Sequence, residues 1–262
     1  MGTILSVRNL TKMFGGLSAV DRLDFDLHEG EILGLIGPNG SGKSTVFNLI
    51  SGFLPVTFGR IGFAGRDITG FRAHRIARLG IGRAFQASTL FMELSVFDNV
   101  FNGFHLRYKT SQWKSFLHLP EARREERDAG LDVMEILNFM GLEQHKDVLA
   151  KNLPHGHQKT LGVCLAMVTR PRILLLDEPL AGMHPEEALA MGTIITRIRE
   201  SGVTIILVEH NITAVMRLCD RIVVLNQGRK IAEGLPVEIA ENSEVIEAYL
   251  GRDEDEEDLY AP

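Results

Sequence analysis

Apolar positions along the chain follow two periods, and the switch between them marks out the architecture. Residues 4–9 and 18–28 carry β-type patterns, the second through Val20, Leu23, Phe25 and Leu27. Three continuous apolar runs of strand length, 32–36, 172–176 and 203–208, suit strands buried on both faces of a parallel sheet. A fourth strand is expected over 81–85. Residues 60–68 read as a hairpin turning at Ala64-Gly65, and 221–233 as one around Asn226-Gln227-Gly228. Short helices are expected at 72–79, at 46–51 with Gly52 ending it, from Pro185 with Glu186 and Glu187, and twice within 236–250. From about 88 to 165 the period becomes helical, through Val96, Val100 and Phe104, then Leu131, Met134, Leu137 and Met140. Residues 121–130 form a charged helical face. The stretch 105–120, with the only Trp, fits either a docking surface or a packed loop. The pattern predicts an α/β fold of one domain over 1–251. Its core comprises 1–87 and 166–235, with a helical insert at 88–165, closing helices at 236–251 and a separate tail at 252–262.

The candidate chemistry centres on Gly37-Pro38-Asn39-Gly40-Ser41-Gly42-Lys43-Ser44-Thr45, placed between an apolar strand and a helix. It fits the phosphate-loop pattern G-x-x-x-x-G-K-[ST]. Glycines let the backbone turn its N–H groups toward one concavity, and the positive end of the following helix faces the same point. Lys43 is expected to reach the β- and γ-phosphates of ATP, and the Ser44 hydroxyl to sit on Mg²⁺.

Other candidates lie where strands end. Asp177 and Glu178 follow the 172–176 strand, at the sheet edge where α/β folds bind ligands. Asp177 suits a metal-side role and Glu178 a water-activating one. His210, just past the 203–208 strand, suits contact with a γ-phosphate. Gln86 ends the 81–85 strand and suits Mg²⁺ or a water. Phe14 stands at a turn, where its ring either stacks on a purine or joins the core. Residues 153–158, Leu153-Pro154-His155-Gly156-His157-Gln158, form a turn into an apolar helix.

Composition narrows the class. The net charge of −6 resides in the tail: residues 253–258 are six consecutive acids, leaving 28 acids against 28 Lys and Arg. Such a run reads as a solvated, disordered tail, and the neutral body offers no basic surface for nucleic acid. No apolar run reaches bilayer-spanning length, and no secretory signal is evident. Cys164 and Cys219 lack metal-site spacing and read as reduced core thiols, which places the chain in the cytosol.

Taken together, these motifs resemble the ATP-binding subunits of ABC transporters, over residues 3 to about 251. Phe14 matches the base-stacking aromatic loop, GPNGSGKST the Walker A motif, and Gln86 the Q-loop. LPHGH matches the signature segment, ILLLDE the Walker B motif with its catalytic glutamate, AGMH the D-loop, and His210 the switch histidine. FGGLSAVD, RAFQ, the 102–120 insert, the LP-x-G-x-Q signature and EG-x-P…VIEAYLG resemble the branched-chain amino-acid importers, specifically the longer of that group's two paired ATPases.

The resemblance implies a P-loop NTPase (RecA-like) core with an N-terminal antiparallel β subdomain and an inserted α-helical subdomain. It implies an ATPase working with Mg²⁺ at the cytoplasmic face of the membrane. The implied partners are a second, paralogous ATPase in a heterodimer, two transmembrane permease subunits and, indirectly, a solute-binding protein. Import of a small polar solute follows, and no nucleic acid. A lipopolysaccharide-export type ATPase and a soluble, non-transport ABC ATPase are the alternatives. The chain departs from the family at the signature. Pro154 replaces the usual serine, His155 the next glycine, His157 the usual Gln or Glu, and Leu165 an arginine further along the helix.

Overall fold

The computed structural model describes residues 2–84, 90–104 and 120–250. Gln86, most of the 105–120 stretch and the acidic run 253–258 lie outside them. Chain order is β1 (Thr3–Phe14), β2 (Leu17–His28), β3 (Ile32–Ile36), α1 (Lys43–Ile50), β4 (Phe58–Phe63), β5 (Arg66–Asp67), α2 (Ala73–Leu79) and β6 (Ile81–Ala84). Then come α3 (Val96–Gly103), α4 (Pro120–Phe139), α5 (His155–Met167), β7 (Ile173–Asp177), α6 (Pro185–Glu200) and β8 (Thr204–Val208). The chain continues through α7 (Ile212–Leu218), β9 (Arg221–Asn226), β10 (Arg229–Gly234), α8 (Pro236–Ala240) and α9 (Ser243–Leu250).

These strands make two sheets. β2-β1-β4-β5 is antiparallel, and β10-β9-β3-β8-β7-β6 is parallel except for the β9–β10 hairpin. The hairpin turns fall where the sequence places them: Ala64-Gly65 and Gln227-Gly228 all have positive φ.

The three apolar runs form adjacent central strands, and alternate residues of each enter different cores. Ile32, Ile36, Leu174, Leu176, Ile205 and Leu207 face helices α3 to α6, meeting Val100, Leu137, Leu161 and Ile195. Leu33, Leu35, Ile173, Leu175, Ile206 and Val208 face the other way, onto α1 and the antiparallel sheet. Cys164 and Cys219 are buried free thiols in the first cluster. Burial pushes the Cys219 thiol up to about 12, and that of Cys164 above the usual thiol range.

One apolar position departs from its expected place. Leu131 is 65% exposed, while Ala129, Val133 and Leu137 carry the buried face of α4. At 100° per residue, Leu131 sits about 200° from Val133, on the solvent side. No helix among the described residues is long and apolar enough to cross a membrane.

Candidate functional site

β3 ends at Ile36 and α1 begins at Lys43, so residues 37–42 form the connecting loop. Gly37 (φ +147°) passes so close to β9 that a Cβ there would lie 2.0 Å from the Leu225 carbonyl oxygen. Gly42 (φ +105°) is the N-cap of α1 and makes no side-chain cap; a Cβ on it would meet the Ala19 carbonyl oxygen of β2 at 2.6 Å. The first amides of α1 are therefore left without a side-chain acceptor, which suits an anion. Lys43, 6% exposed, donates from Nζ to the carbonyl oxygens of Gly37 (2.7 Å) and Pro38 (3.0 Å). Ser41 Oγ is buried with no hydrogen-bond partner, an orphan group facing the loop. Ser44 is exposed and Thr45 half-buried. Loop amides, a lysine and hydroxyls make a donor set that fits a polyphosphate.

The remaining candidates meet at the carboxyl edge of the parallel sheet. β7 and β8 are neighbours, pairing Asp177 with Val208, and the Glu178 N–H donates to the Val208 carbonyl (2.9 Å). Glu178 has φ +51°, a left-handed conformation costing a non-glycine residue on the order of 1–2 kcal/mol. Its Oε1 lies 2.8 Å from His210 Nε2. With Glu178 ionised, His210 donates from Nε2 and fixes the carboxylate's direction. The sequence thus puts Glu178 and His210 at two strand ends, and the fold brings them into hydrogen-bond contact.

Asp177 pairs with Arg83 of β6 (3.0 Å), which also donates to Asn48 Oδ1 (2.7 Å) and Ser51 Oγ (3.2 Å) of the α1 end. Arg83 escapes sequence reading, because only the β6–β7 pairing brings it to Asp177. Gln86, expected beside them, is outside the described residues. Phe14 ends β1 at the hairpin and is 48% exposed, so it is not a core residue; Lys12 Nζ stands 5.0 Å from its ring centre. The same hairpin leads into β2, whose Ala19 touches Gly42.

The 153–158 segment forms the start of α5. Leu153 is buried, and Pro154 is the N-cap without a side-chain cap. His155 is exposed at the first turn. Gly156 is buried where a Cβ would fall 2.8 Å from Glu187 Oε1. His157 is partly buried and packs on His145, ring centres 4.7 Å apart. Its pKa is pushed below the usual histidine value, first by burial, then by His145; Glu187 opposes the shift. A cleft of about 370 Å³ separates α5 from the strand ends, lined by Ala84, His155, Lys159, Asp177, Glu178 and Gly182 among others. Lys159 and Glu209 also reach this region, and nothing in their spacing assigns them a task.

Residues 20–181 match the family model for the ABC transporter, and residues 229–255 that for the branched-chain amino acid ATP-binding cassette transporter. The chain belongs to the ABC transporter family. As an ABC cassette it binds nucleotide and couples ATP hydrolysis to transport. It is 42% identical to the high-affinity branched-chain amino acid transport ATP-binding protein LivG of Salmonella typhimurium, covering 95% of this chain and 98% of that one. Identity to BraF of Pseudomonas aeruginosa is 41%, with the same coverage. The lipopolysaccharide export system ATP-binding protein LptB of Escherichia coli is 32% identical, again over 95% and 98%. A solved ATP-binding cassette of an ABC transporter, in its ADP conformation, superposes with a TM-score of 0.84 at 30% identity, covering 96% of this chain and all of that one.

Proposed function

We propose that this cassette is the ATP-hydrolysing subunit of an importer for branched-chain amino acids or a related small polar solute, working at the cytoplasmic face of the membrane. The observation that carries the catalytic reading is the 2.8 Å contact between Glu178 and His210 at the sheet edge. Glu178 acts as general base or water-orienting group, and His210 holds its carboxylate and senses the γ-phosphate. The amides of 37–45 and Lys43 cradle the β- and γ-phosphates, and Phe14 stacks on the base. Ser44, Asp177 and Gln86 are the groups that would hold Mg²⁺, whose charge neutralises the transferring phosphoryl group. Arg83 beside Asp177 keeps that carboxylate aimed.

The site is completed by a second, paralogous ATPase, whose signature helix caps the nucleotide; residues 153–157 do the same for the partner's. Two permease subunits and a solute-binding protein complete the assembly. LivG and BraF carry the branched-chain reading in their names, and the match at 229–255 supports it. The 32% relation to LptB supports an export-type cassette as the second reading.

Glu178→Gln tests the catalytic role. The variant keeps MgATP binding while hydrolysis falls roughly 100-fold or more. Near-normal turnover in the reconstituted complex would overturn the assignment.

A further inference from the structure

Residues 178–182 carry Glu178 in a left-handed conformation, yet their own hydrogen bonds are long. Ala181 N–H reaches the Glu178 carbonyl at 3.3 Å, and Met183 N–H the Leu180 carbonyl at 3.2 Å. Two charged side chains make shorter contacts with the same backbone. Lys159 Nζ, from α5, donates to the carbonyl oxygens of Glu178 (3.0 Å) and Ala181 (2.5 Å). Glu209, from the end of β8 and 2% exposed, accepts the Leu180 N–H at 2.6 Å. A cation thus holds the loop's carbonyls and an anion its amide, from two different elements. Charge-assisted bonds of this kind are shorter and stronger than neutral ones.

We propose that Lys159 and Glu209 are positioning residues that clamp the 178–182 loop, and that through Lys159 the subunit's signature helix is tied to its own catalytic glutamate. This rests on the catalytic reading of Glu178. The two charges answer each other: burial lowers the Lys159 pKa and raises that of Glu209, while each opposes the other's shift. The β8 end reaches the loop twice, with Glu209 holding the Leu180 N–H and His210 the Glu178 carboxylate. Lys159 lies three residues beyond Gly156, almost one turn of α5, on the helix that caps the partner's nucleotide. A shift of α5 toward or away from the partner therefore pulls on the Glu178 and Ala181 carbonyls. In this way engagement of one ATP site reaches the general base of the other.

Because both residues hold the loop through its backbone, the clamp makes a distinct kinetic forecast. In the full chain assembled with its partner ATPase and permease subunits, Lys159→Met lowers kcat for MgATP on the order of 100-fold, with KM within about twofold. Lys159→Arg, which also donates to carbonyls, recovers most of the rate. Glu209→Gln, which keeps an acceptor oxygen, lowers kcat less. Combined with Lys159→Met it adds little, as residues acting as one unit do. Wild-type kcat in Lys159→Met, beside an inactive Glu178→Gln, overturns the clamp alone. So do independent, multiplying losses in the double variant. Should Lys159→Met fold poorly, the Lys159→Arg and Glu209→Gln rates decide in the same way. Full turnover in Glu178→Gln instead removes the catalytic reading and the clamp with it.

Discussion

A single missing methyl group at Gly37 fixes the phosphate loop against β9. With φ at +147° and the Leu225 carbonyl oxygen 2.0 Å from any Cβ, the backbone of position 37 or of β9 must move to admit alanine. Gly37→Ala is expected to destabilise the fold by about 2 kcal/mol and to weaken MgATP binding at least about tenfold, read by denaturant unfolding and nucleotide titration. Residues of this kind were legible because the phosphate loop is contiguous: strand, glycines, lysine and helix arrive in one stretch. Asp177 and Glu178 were legible for the same reason, and His210 from its place after an apolar run. Arg83, Lys159 and Glu209 were not. Each meets its partner only through tertiary pairing, with separations of 94 residues for Arg83–Asp177 and 29 for Glu209–Leu180. The left-handed backbone of Glu178 also leaves no trace in residue type, since it belongs to the glutamate itself.

Among the elements, α5 begins at the segment that resembles the family signature. Its N-terminus lacks a side-chain cap, and His157 lies in its first turn. The groups that act on His157 lie on neighbouring elements, His145 on the turn Glu143–His145 and Glu187 on α6. Its folded pKa lies below the ordinary histidine value, so the unfolded chain binds the extra proton first. Stability is therefore full above about pH 6.5 and declines as pH falls through the folded pKa. Melting temperature should drop more steeply between neutral and acidic pH in the wild type than in His157→Gln. Parallel pH profiles would show that the histidine carries no such coupling. Sequence periodicity located α5, and it located α4 as well. It misjudged Leu131 because an apolar residue on a charged helix looks alike whether it faces core or water.

At the scale of the molecule, the proposed function implies two halves of the ATP machinery that differ in completeness. By resemblance, Lys43, Ser44, Asp177, Glu178 and His210 match the family pattern, while Pro154 and His155 stand where its signature usually has a serine and a glycine. In mixed dimers, placing Glu178→Gln in this chain should cost more ATPase activity than the corresponding change in the partner, because in the proposed arrangement this chain's nucleotide faces the partner's signature. Equal losses would remove the asymmetry. The alternation of Ile32, Leu33 and Leu35 between two cores marks the sheet as the layer separating α5 from α1. A continuous apolar run announces burial on both faces, but not strand order; β10-β9-β3-β8-β7-β6 emerged only from pairing.

The two buried cysteines have a practical consequence for following these motions. Alkylating reagents attack the thiolate, and burial keeps Cys164 and Cys219 both covered and protonated at neutral pH. A thiol introduced at an exposed signature position, as in His155→Cys, would be the one site that maleimide dyes or spin labels modify. The native chain already serves as its own cysteine-silent background.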